Sequence, residues 1–168
     1  TNIASFGLSG PVDRAVNRFK ASRYLSGRAV FKIATLAALM RYRFQRVAIR
    51  VDGGPAIEAR IAVVAIANGA YFGGGMWVAP PARIDDGRLE IIVVRGETKA
   101  KLARDMNRVY TGDHMKDADT THLTGTSITV EPLDAKETGP VLLDIDGESP
   151  GRLPAHFDVL PRAIEVLV

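Results

Sequence analysis

One segment constrains the fold of this chain more than any other. Residues 57–69, with the sequence IEARIAVVAIANG, form a long apolar run rich in β-branched residues. Such a continuous run is typical of a strand that is buried on both faces, deep inside a sheet. The preceding segment, RVAIRVD, alternates with period two, and Asp52-Gly53-Gly54-Pro55 between the two has turn composition. The pair therefore predicts an antiparallel hairpin at the centre of a sheet.

The remaining pattern predicts an α+β, mostly β domain. Helical spacing indicates helices from Pro11 to about Ala21, over 28–43 and over 98–110. Further strands are predicted at 1–10, 88–94, 124–133, 141–146, 155–160 and 163–168. Since 168 residues suffice for one sizeable core, residues 1–168 are predicted to form one domain of packed antiparallel sheets with about three helices.

Composition removes several classes of function. The chain has no cysteine, which excludes disulfides and thiolate metal sites. Hydrophobic residues make up 46% and charged residues 24%, as in soluble globular proteins. No run of 18 apolar residues that could span a bilayer occurs, and the first residues lack the pattern of a signal peptide. We therefore expect a cytoplasmic protein, with a strand that begins at once as if an upstream part were missing.

The net charge of +3 is unevenly distributed. Residues 1–60 carry 11 Lys and Arg against three acidic residues, whereas the rest carries 11 basic and 16 acidic residues. The basic residues in and just after the first predicted helix include Arg14, Arg18, Lys20 and Arg23. Two interpretations stay open, an anionic partner such as a membrane surface and an ordinary solvated helix face.

Common catalytic and nucleotide-binding motifs are missing. The glycines at 73–75 do not have the spacing of a dinucleotide or P-loop motif, so they favour a strained loop or a bulge over a phosphate cradle. His114, His122 and His156 are scattered, with no pair at metal-ligand spacing, and we expect them to be structural or exposed. We expect no nucleic-acid partner.

Two acidic segments are the candidate functional residues. If LLDIDGE is a strand to its end, Asp144, Asp146 and Glu148 project from one face, where metal-bound phosphate would compensate their charge. The alternative is an exposed hairpin end, because Asp-Gly can turn the chain and redirect Glu148. Asp85-Asp86-Gly87 is usually a simple turn, although one carboxylate with main-chain carbonyls and water can hold a hard cation.

The order of these segments resembles a known family. The stretches are NIASFGLSGPVDRAVN, RYRFQRVAIRVDG, VVAIANGAYFGGGMWVAPPARIDDGRLEIIVV, PVLLDIDGE and FDVLPRAIEVLV. Together they cover nearly the whole chain and resemble the C-terminal domain of the diacylglycerol and sphingosine kinase-like lipid kinases, most of all the bacterial diacylglycerol kinase-type group.

The resemblance implies a two-domain enzyme. An N-terminal domain related to NAD kinases binds ATP at a G-G-D-G-T loop, which is not present here. The C-terminal domain is an antiparallel β-sandwich with a few helices, and the lipid lies in the cleft between the domains. The expected partners are thus the protein's own N-terminal domain and a lipid at a membrane surface, with a homodimer possible.

The resemblance also implies site residues. A structural Mg²⁺ is expected at the carboxylate of Asp86 and the main-chain oxygens of Arg83 and Arg88. Glu148 is expected to be the proton acceptor, with Asp146 and Asp144 orienting it or holding waters of Mg²⁺. The expected activity is ATP-dependent phosphorylation of a hydroxyl of diacylglycerol or a related lipid, in the full-length protein only. The alternatives are a sphingoid-base acceptor and a non-catalytic lipid-binding or dimerisation module.

Overall fold

The computed structural model describes residues 1–12 and 35–163, which form an antiparallel sheet of eight strands. The predicted mostly β, α+β fold is confirmed. The strands are β1 (Ile3–Gly7), β2 (Gln45–Val51), β3 (Ile57–Ala67), β4 (Leu89–Arg95), β5 (Thr120–Gly125), β6 (Ser127–Pro132), β7 (Leu143–Ile145) and β8 (Ala155–Asp158).

The long strand β3 organises the sheet. The strand order is β5-β4-β3-β2-β6-β8, and β1 pairs with both β3 and β7. Along one edge of β3, β2 pairs with its first half and β1 with its second half. A register shift against β4 lies between these halves, at Ile61 and Val63. β3 has neighbours on both edges and is covered on both faces. Its side chains therefore meet apolar surroundings on either side, which accounts for its continuous apolar sequence.

The main core lies on one face of the sheet. It fills the space between the strands on the β2 side of the sheet and those on the β1 side, which β3 joins. Phe6 of β1, Ile61 of β3 and Ile91 of β4 are fully buried there. Ile49 of β2 and Ile128 of β6 complete its centre. Burying such a side chain contributes about 1.5–3 kcal/mol, so the strand pairing is fixed largely by this cluster.

The helices other than the short one after β6 cover the other side of the sheet, where they pack with Val63 of β3. α1 and α2 have their described residues at 9–12 and 35–41, and α3 (Lys99–Asp105) and α4 (Ala135–Thr138) follow. Two 3-10 helices occupy Met106–Tyr110 and Asp113–Lys116. Among the described residues, no helix has the length and hydropathy needed to cross a bilayer.

The helix predicted over 98–110 is confirmed, with a change of type at its end. Thr98 caps α3, since its hydroxyl accepts a hydrogen bond from the Lys101 N–H at 3.2 Å. After Asp105 the chain continues as the first 3-10 helix. Several predictions lie wholly or largely outside the described residues: the body of the first two helices, the strand at 163–168, and the basic residues Arg14, Arg18, Lys20 and Arg23.

The segment predicted as one strand over 124–133 is divided in two. β5 pairs with β4 whereas β6 pairs with β2, so the chain crosses the sheet at Thr126. The Asp52 carboxylate fixes this crossing by accepting hydrogen bonds from the N–H groups of Thr126 and Ser127, both at 2.9 Å. β5 escaped prediction because its sequence, TTHLTG, is mostly polar and lies at the sheet edge.

Candidate functional site

A cavity of about 730 Å³ lies on the face of β1, β3 and β4 that points away from the main core. Ile3, Val63 and Val94 are contributed by those strands. Its walls come from α3 and the first 3-10 helix, from segment 72–78, and from the described residues of α1 and α2. The apolar wall residues are Leu8, Val12, Leu39, Phe72, Met76, Val78, Leu102, Met106 and Val109. A predominantly apolar cavity of this size is typical of a small-molecule site.

The turn after β7 contributes polar groups to this cavity, through Asp144, Asp146 and Gly147. β7 ends at Ile145, and Asp146 (φ 51°) and Gly147 (φ 86°) form a two-residue turn. The N–H of Ile145 donates to the carbonyl of Glu148 at 2.8 Å, and the reverse bond measures 2.9 Å. The strand therefore does not continue to Glu148, so its three carboxylates do not project from one strand face, and the alternative of an exposed hairpin end is confirmed. Asp-Gly supplies the two positive φ values that a tight hairpin needs.

Asp144 is a buried carboxylate that holds this turn. It is 8% exposed. Its Oδ1 accepts a hydrogen bond from the Gly147 N–H at 2.9 Å, and its Oδ2 accepts one from the Ser5 hydroxyl at 3.2 Å. Hydrogen bonds of this kind offset the cost of burying a carboxylate, so Asp144 joins the turn to β1.

Asp146 ties the same turn to the start of β1. Its carboxylate accepts hydrogen bonds from the N–H groups of Asn2 at 2.9 Å and Ile3 at 2.8 Å, and from the Thr1 hydroxyl at 2.8 Å. Partial burial raises the pKa of Asp146, but these donors outweigh it and hold the pKa below its usual value. Asp146 is therefore ionised at neutral pH and is positioned by the first residues of the chain.

Glu148 lies just outside the cavity wall. It follows the turn directly, is exposed, and is not among the described residues that line the cavity. The structure thus brings Asp144 and Asp146 to the cavity and leaves Glu148 beside it, facing the surroundings. A group placed there can accept a proton from a molecule that reaches out of the cavity.

The 83–88 turn lies apart from the cavity, since none of its residues is in the cavity wall. Asp86 is exposed, and its Oδ1 accepts a hydrogen bond from the Arg88 N–H at 2.9 Å. The Arg83 side chain instead pairs with Asp85 at 3.4 Å. Among the described residues no group of three or more acidic or histidine side chains could hold a metal. A cation at this turn would depend on Asp86, main-chain oxygens and water, an oxygen-only set that suits Mg²⁺.

The three histidines take structural or surface positions. His114 is buried in the cavity wall, where its Nε2 lies 2.9 Å from the Val78 carbonyl, and its Nδ1 has no hydrogen-bond partner. His122 contacts the buried Glu90 carboxylate. His156 is exposed on β8, with Nδ1 2.8 Å from the Thr129 hydroxyl. His114 was not recognised as a cavity residue, because its neighbours in sequence carry no signal of the cavity.

A glycine-rich hairpin forms part of the cavity mouth. Main-chain hydrogen bonds of 3.1 and 3.0 Å join Phe72 and Met76, and Gly73, Gly74 and Gly75 between them have φ values of 50°, 78° and 93°. A loop is therefore present at 73–75 as predicted, although its positive φ values are ones that glycine adopts without strain. Beside it, the rings of Tyr71 and Trp77 stack, with centroids 5.9 Å apart and planes 7° from parallel.

Ion pairs hold the helical wall of the cavity. The ammonium of Lys101 on α3 contacts the Asp119 carboxylate, which raises the pKa of Lys101. Arg108 of the first 3-10 helix pairs with Asp117 at 2.7 Å. Neither α3 nor this 3-10 helix contains a fully buried residue. Their apolar side chains are instead only partly covered and face the cavity, so the two pairs anchor a thinly packed wall to the segment before β5.

Comparison with known proteins gives one matching family description. The YegS C-terminal NAD kinase beta sandwich-like domain matches residues 2–168. A protein named diacylglycerol kinase from Mycobacterium tuberculosis (strain ATCC 25618 / H37Rv) is 28% identical over 165 residues, which are 98% of this chain and 50% of the relative. Another of that name from Staphylococcus haemolyticus is 33% identical over 89 residues, covering 53% of this chain and 26% of the relative.

The solved structures agree in fold. A putative diacylglycerol kinase from Bacillus anthracis str. Sterne superposes with a TM-score of 0.63 at 24% identity, over 95% of this chain and 50% of that one. A second such structure, from the same source, gives a TM-score of 0.62 at 22% identity. The chain thus spans about half the length of the relatives and structures that it matches along its whole length.

Proposed function

The chain belongs to the family of YegS C-terminal NAD kinase beta sandwich-like domains, and on that premise we propose that it is the lipid-binding half of an ATP-dependent lipid kinase. Its relatives carry the name diacylglycerol kinase, which makes diacylglycerol the first candidate acceptor. Because the chain spans about half of such a relative, the ATP site is assigned to an N-terminal domain of the full-length protein. The chain alone is expected to be inactive.

The cavity and the turn beside it carry the proposal. A lipid that is phosphorylated on a hydroxyl needs an apolar space for hydrocarbon and a polar group at the end where the hydroxyl lies. The cavity offers apolar walls along its length, with Asp144, Asp146 and Gly147 at the turn. Burying hydrocarbon contributes about 0.8 kcal/mol per methylene. The binding energy of the lipid's hydrocarbon chain in the cavity would therefore place the lipid hydroxyl at the turn.

Within the turn we assign different tasks to the three carboxylates. Glu148 accepts the proton of the lipid hydroxyl as the hydroxyl oxygen bonds to the γ-phosphorus of ATP and the bond from that phosphorus to the ADP oxygen breaks, so that ADP leaves. Asp146 is less suited to that task, because three donors occupy its carboxylate and its pKa is lowered. It orients Glu148 by fixing the turn against β1. Asp144 stabilises the turn by accepting the hydrogen bond from the Gly147 N–H.

A magnesium ion at the 83–88 turn is part of the proposal. Asp86 would supply a carboxylate, and Arg83 and Arg88 would supply main-chain oxygens. The bond from the Arg88 N–H already orients the Asp86 carboxylate within the turn. Such an ion neutralises negative charge and stiffens the connection between β3 and β4. Since this turn is not in the cavity wall, we assign the ion a structural role rather than a catalytic one.

The decisive experiment restores the missing half. The full-length protein, the ATP-binding half alone and this chain alone are assayed for transfer of ³²P from ATP to lipids in mixed micelles. The panel contains diacylglycerol, monoacylglycerol and a sphingoid base. We expect transfer to diacylglycerol by the full-length protein only. Transfer to the sphingoid base alone would change the acceptor, and lipid binding without transfer to any acceptor would favour the non-catalytic module.

A further inference from the structure

Asn2 links two parts of the cavity mouth that are far apart in sequence. Its main-chain N–H donates to the Asp146 carboxylate at 2.9 Å, and its side-chain amide donates to the Tyr71 carbonyl at 3.0 Å. Its own carbonyl accepts hydrogen bonds from the N–H groups of Asn68 at 2.9 Å and Gly69 at 3.1 Å. One residue therefore bonds the Asp146-Gly147 turn on one side and the segment leading into the glycine hairpin on the other.

The tip of the glycine hairpin is exposed, so its place depends on contacts at its base. A Cβ added at Gly74 or Gly75 would meet no atom within 4 Å beyond its chain neighbours, so a side chain there would point into open space. Glycine also has more backbone freedom to lose than any other residue. The Phe72–Met76 pair holds the base of the hairpin together, but it does not fix where the hairpin lies. The Asn2 side chain contributes to that placement through the carbonyl of Tyr71, beside the Trp77 N–H bond to the Val109 carbonyl at 2.9 Å and the packing of Phe72 against buried residues.

Gly69 is a second, independent sign that the Asn2 side chain has a fixed place. A Cβ at position 69 would lie 1.9 Å from Oδ1 of Asn2, well inside van der Waals contact, although the φ of Gly69 is outside the left-handed region. A side chain at 69 fits only if the Asn2 side chain moves, because the space beside Gly69 is occupied by Oδ1 of Asn2.

We propose that Asn2 is a positioning residue that sets the mouth of the lipid cavity by holding the glycine hairpin against the Asp146-Gly147 turn. The proposal rests on the proposed function, since it concerns how the acceptor lipid enters and is presented. Asn2 acts through the Tyr71 carbonyl and Asp146. Its side chain governs the hairpin while its main chain governs the turn, so the two effects are separable by substitution.

Asn2→Ala removes only the side-chain half of this link. In the full-length enzyme the KM for lipid is expected to rise about five-fold, the effect of losing one neutral hydrogen bond, while kcat changes little because the main-chain bond to Asp146 stays. Gly69→Ala should have the same effect, because the new methyl group displaces the Asn2 side chain from Tyr71. Gly151→Ala is the matched control, since a Cβ there meets open space.

The double variant separates this mechanism from general damage. Both substitutions break the same hydrogen bond, and Asn2→Ala also removes the atom that collides with a methyl group at 69. In the double variant the KM for lipid is therefore expected to rise about five-fold, as in Asn2→Ala alone. Adding Gly69→Ala to Asn2→Ala should cause no further rise. Multiplied effects, about 25-fold in KM for two independent bonds, would overturn the proposal.

A readout without catalysis keeps this test independent of the kinase assignment. Trp77 is the only tryptophan of the chain and stacks on Tyr71 beside the hairpin. In this chain alone, acrylamide quenching of Trp77 fluorescence should increase in Asn2→Ala and in Gly69→Ala. The double variant should show the same increase as either single variant, and Gly151→Ala should show none. Unchanged quenching and a normal lipid KM would overturn the role of Asn2. Absence of phosphotransfer in the wild type, with the quenching pattern intact, would overturn the proposed function instead.

Discussion

The Gly147 N–H donates a hydrogen bond of 2.9 Å to the carboxylate of Asp144, two residues before the turn that both help to form. A second donor, the Ser5 hydroxyl, reaches the other oxygen of Asp144 from β1. β7, which leads into the turn, and β1 therefore share one buried carboxylate. The position of Glu148 depends on it.

Replacing Asp144 should destabilise the protein. Asp144→Ala leaves the buried Ser5 hydroxyl without its acceptor, which costs about 1–3 kcal/mol, and also removes the partly buried bond from the Gly147 N–H. Urea unfolding should show a lower midpoint with an unchanged slope. Asp85→Ala, at an exposed carboxylate, is the control and should unfold as the wild type does. An unchanged midpoint in Asp144→Ala would show that the turn does not rely on this residue.

Glu148→Gln is expected to reduce turnover without affecting the fold. It keeps the shape of the side chain and removes its ability to accept a proton, which typically lowers kcat by about 10²–10⁴-fold. Measurement requires the full-length enzyme with saturating lipid and ATP. Glu131→Gln, at an exposed position on β6, controls for loss of a surface charge. Near-normal turnover would transfer the role of base to Asp146.

Asp146 predicts a pH dependence of stability with a defined sign. Its pKa is lower in the folded protein than in the unfolded chain, because the N–H groups of Asn2 and Ile3 and the Thr1 hydroxyl stabilise the ionised form. The contribution is complete above the ordinary aspartate pKa and is lost as pH falls through the folded value. Wild type should therefore be more stable than Asp146→Asn at pH 7, and the difference should shrink below about pH 4.

Unfolding midpoints measured between pH 2 and 8 check this expectation. Asp85→Asn, with an exposed carboxylate, serves as the matched control. A difference between wild type and Asp146→Asn that stayed constant down to pH 2 would mean that the charge of Asp146 is not what the turn uses.

Filling the cavity should weaken lipid binding selectively. Val94 lies on the cavity wall and is partly exposed, so Val94→Phe adds a ring to the space without replacing a fully buried core residue. In the full-length enzyme the KM for a long-chain lipid is expected to rise by about tenfold or more, the loss of roughly two buried methylenes. The KM for ATP should stay constant. Leu160→Phe, on the exposed end after β8, is the control.

Magnesium should stabilise this chain through Asp86. A ligand that binds only the folded state raises the melting temperature by mass action, and Mg²⁺ prefers a carboxylate with carbonyl oxygens and water. A concentration-dependent rise is expected in the wild type and in Asp85→Asn. It should be absent in Asp86→Asn. An equal rise in all three proteins would assign the effect to ionic strength and remove the site.

Local sequence was sufficient for the elements whose cause is local. The apolar run of β3 predicted a central strand, the Asp-Gly pair after Ile145 allowed a turn, and the glycines at 73–75 predicted a loop. These features follow from side-chain pattern and backbone preference, which neighbouring residues carry themselves. The order of motifs along the chain also indicated the family that the comparison confirmed.

Tertiary structure alone decided the site. The cavity is built from residues between Asn2 and Gly147, brought together because β3 pairs with β1 on one edge and with β4 on the other. Asn2 and His114 gave no signal in sequence, since their roles arise from partners about 70 and 36 positions away. β5 likewise became a strand because β4 offered it an edge. Such contacts are fixed by packing over the whole sheet, which no short segment of sequence specifies.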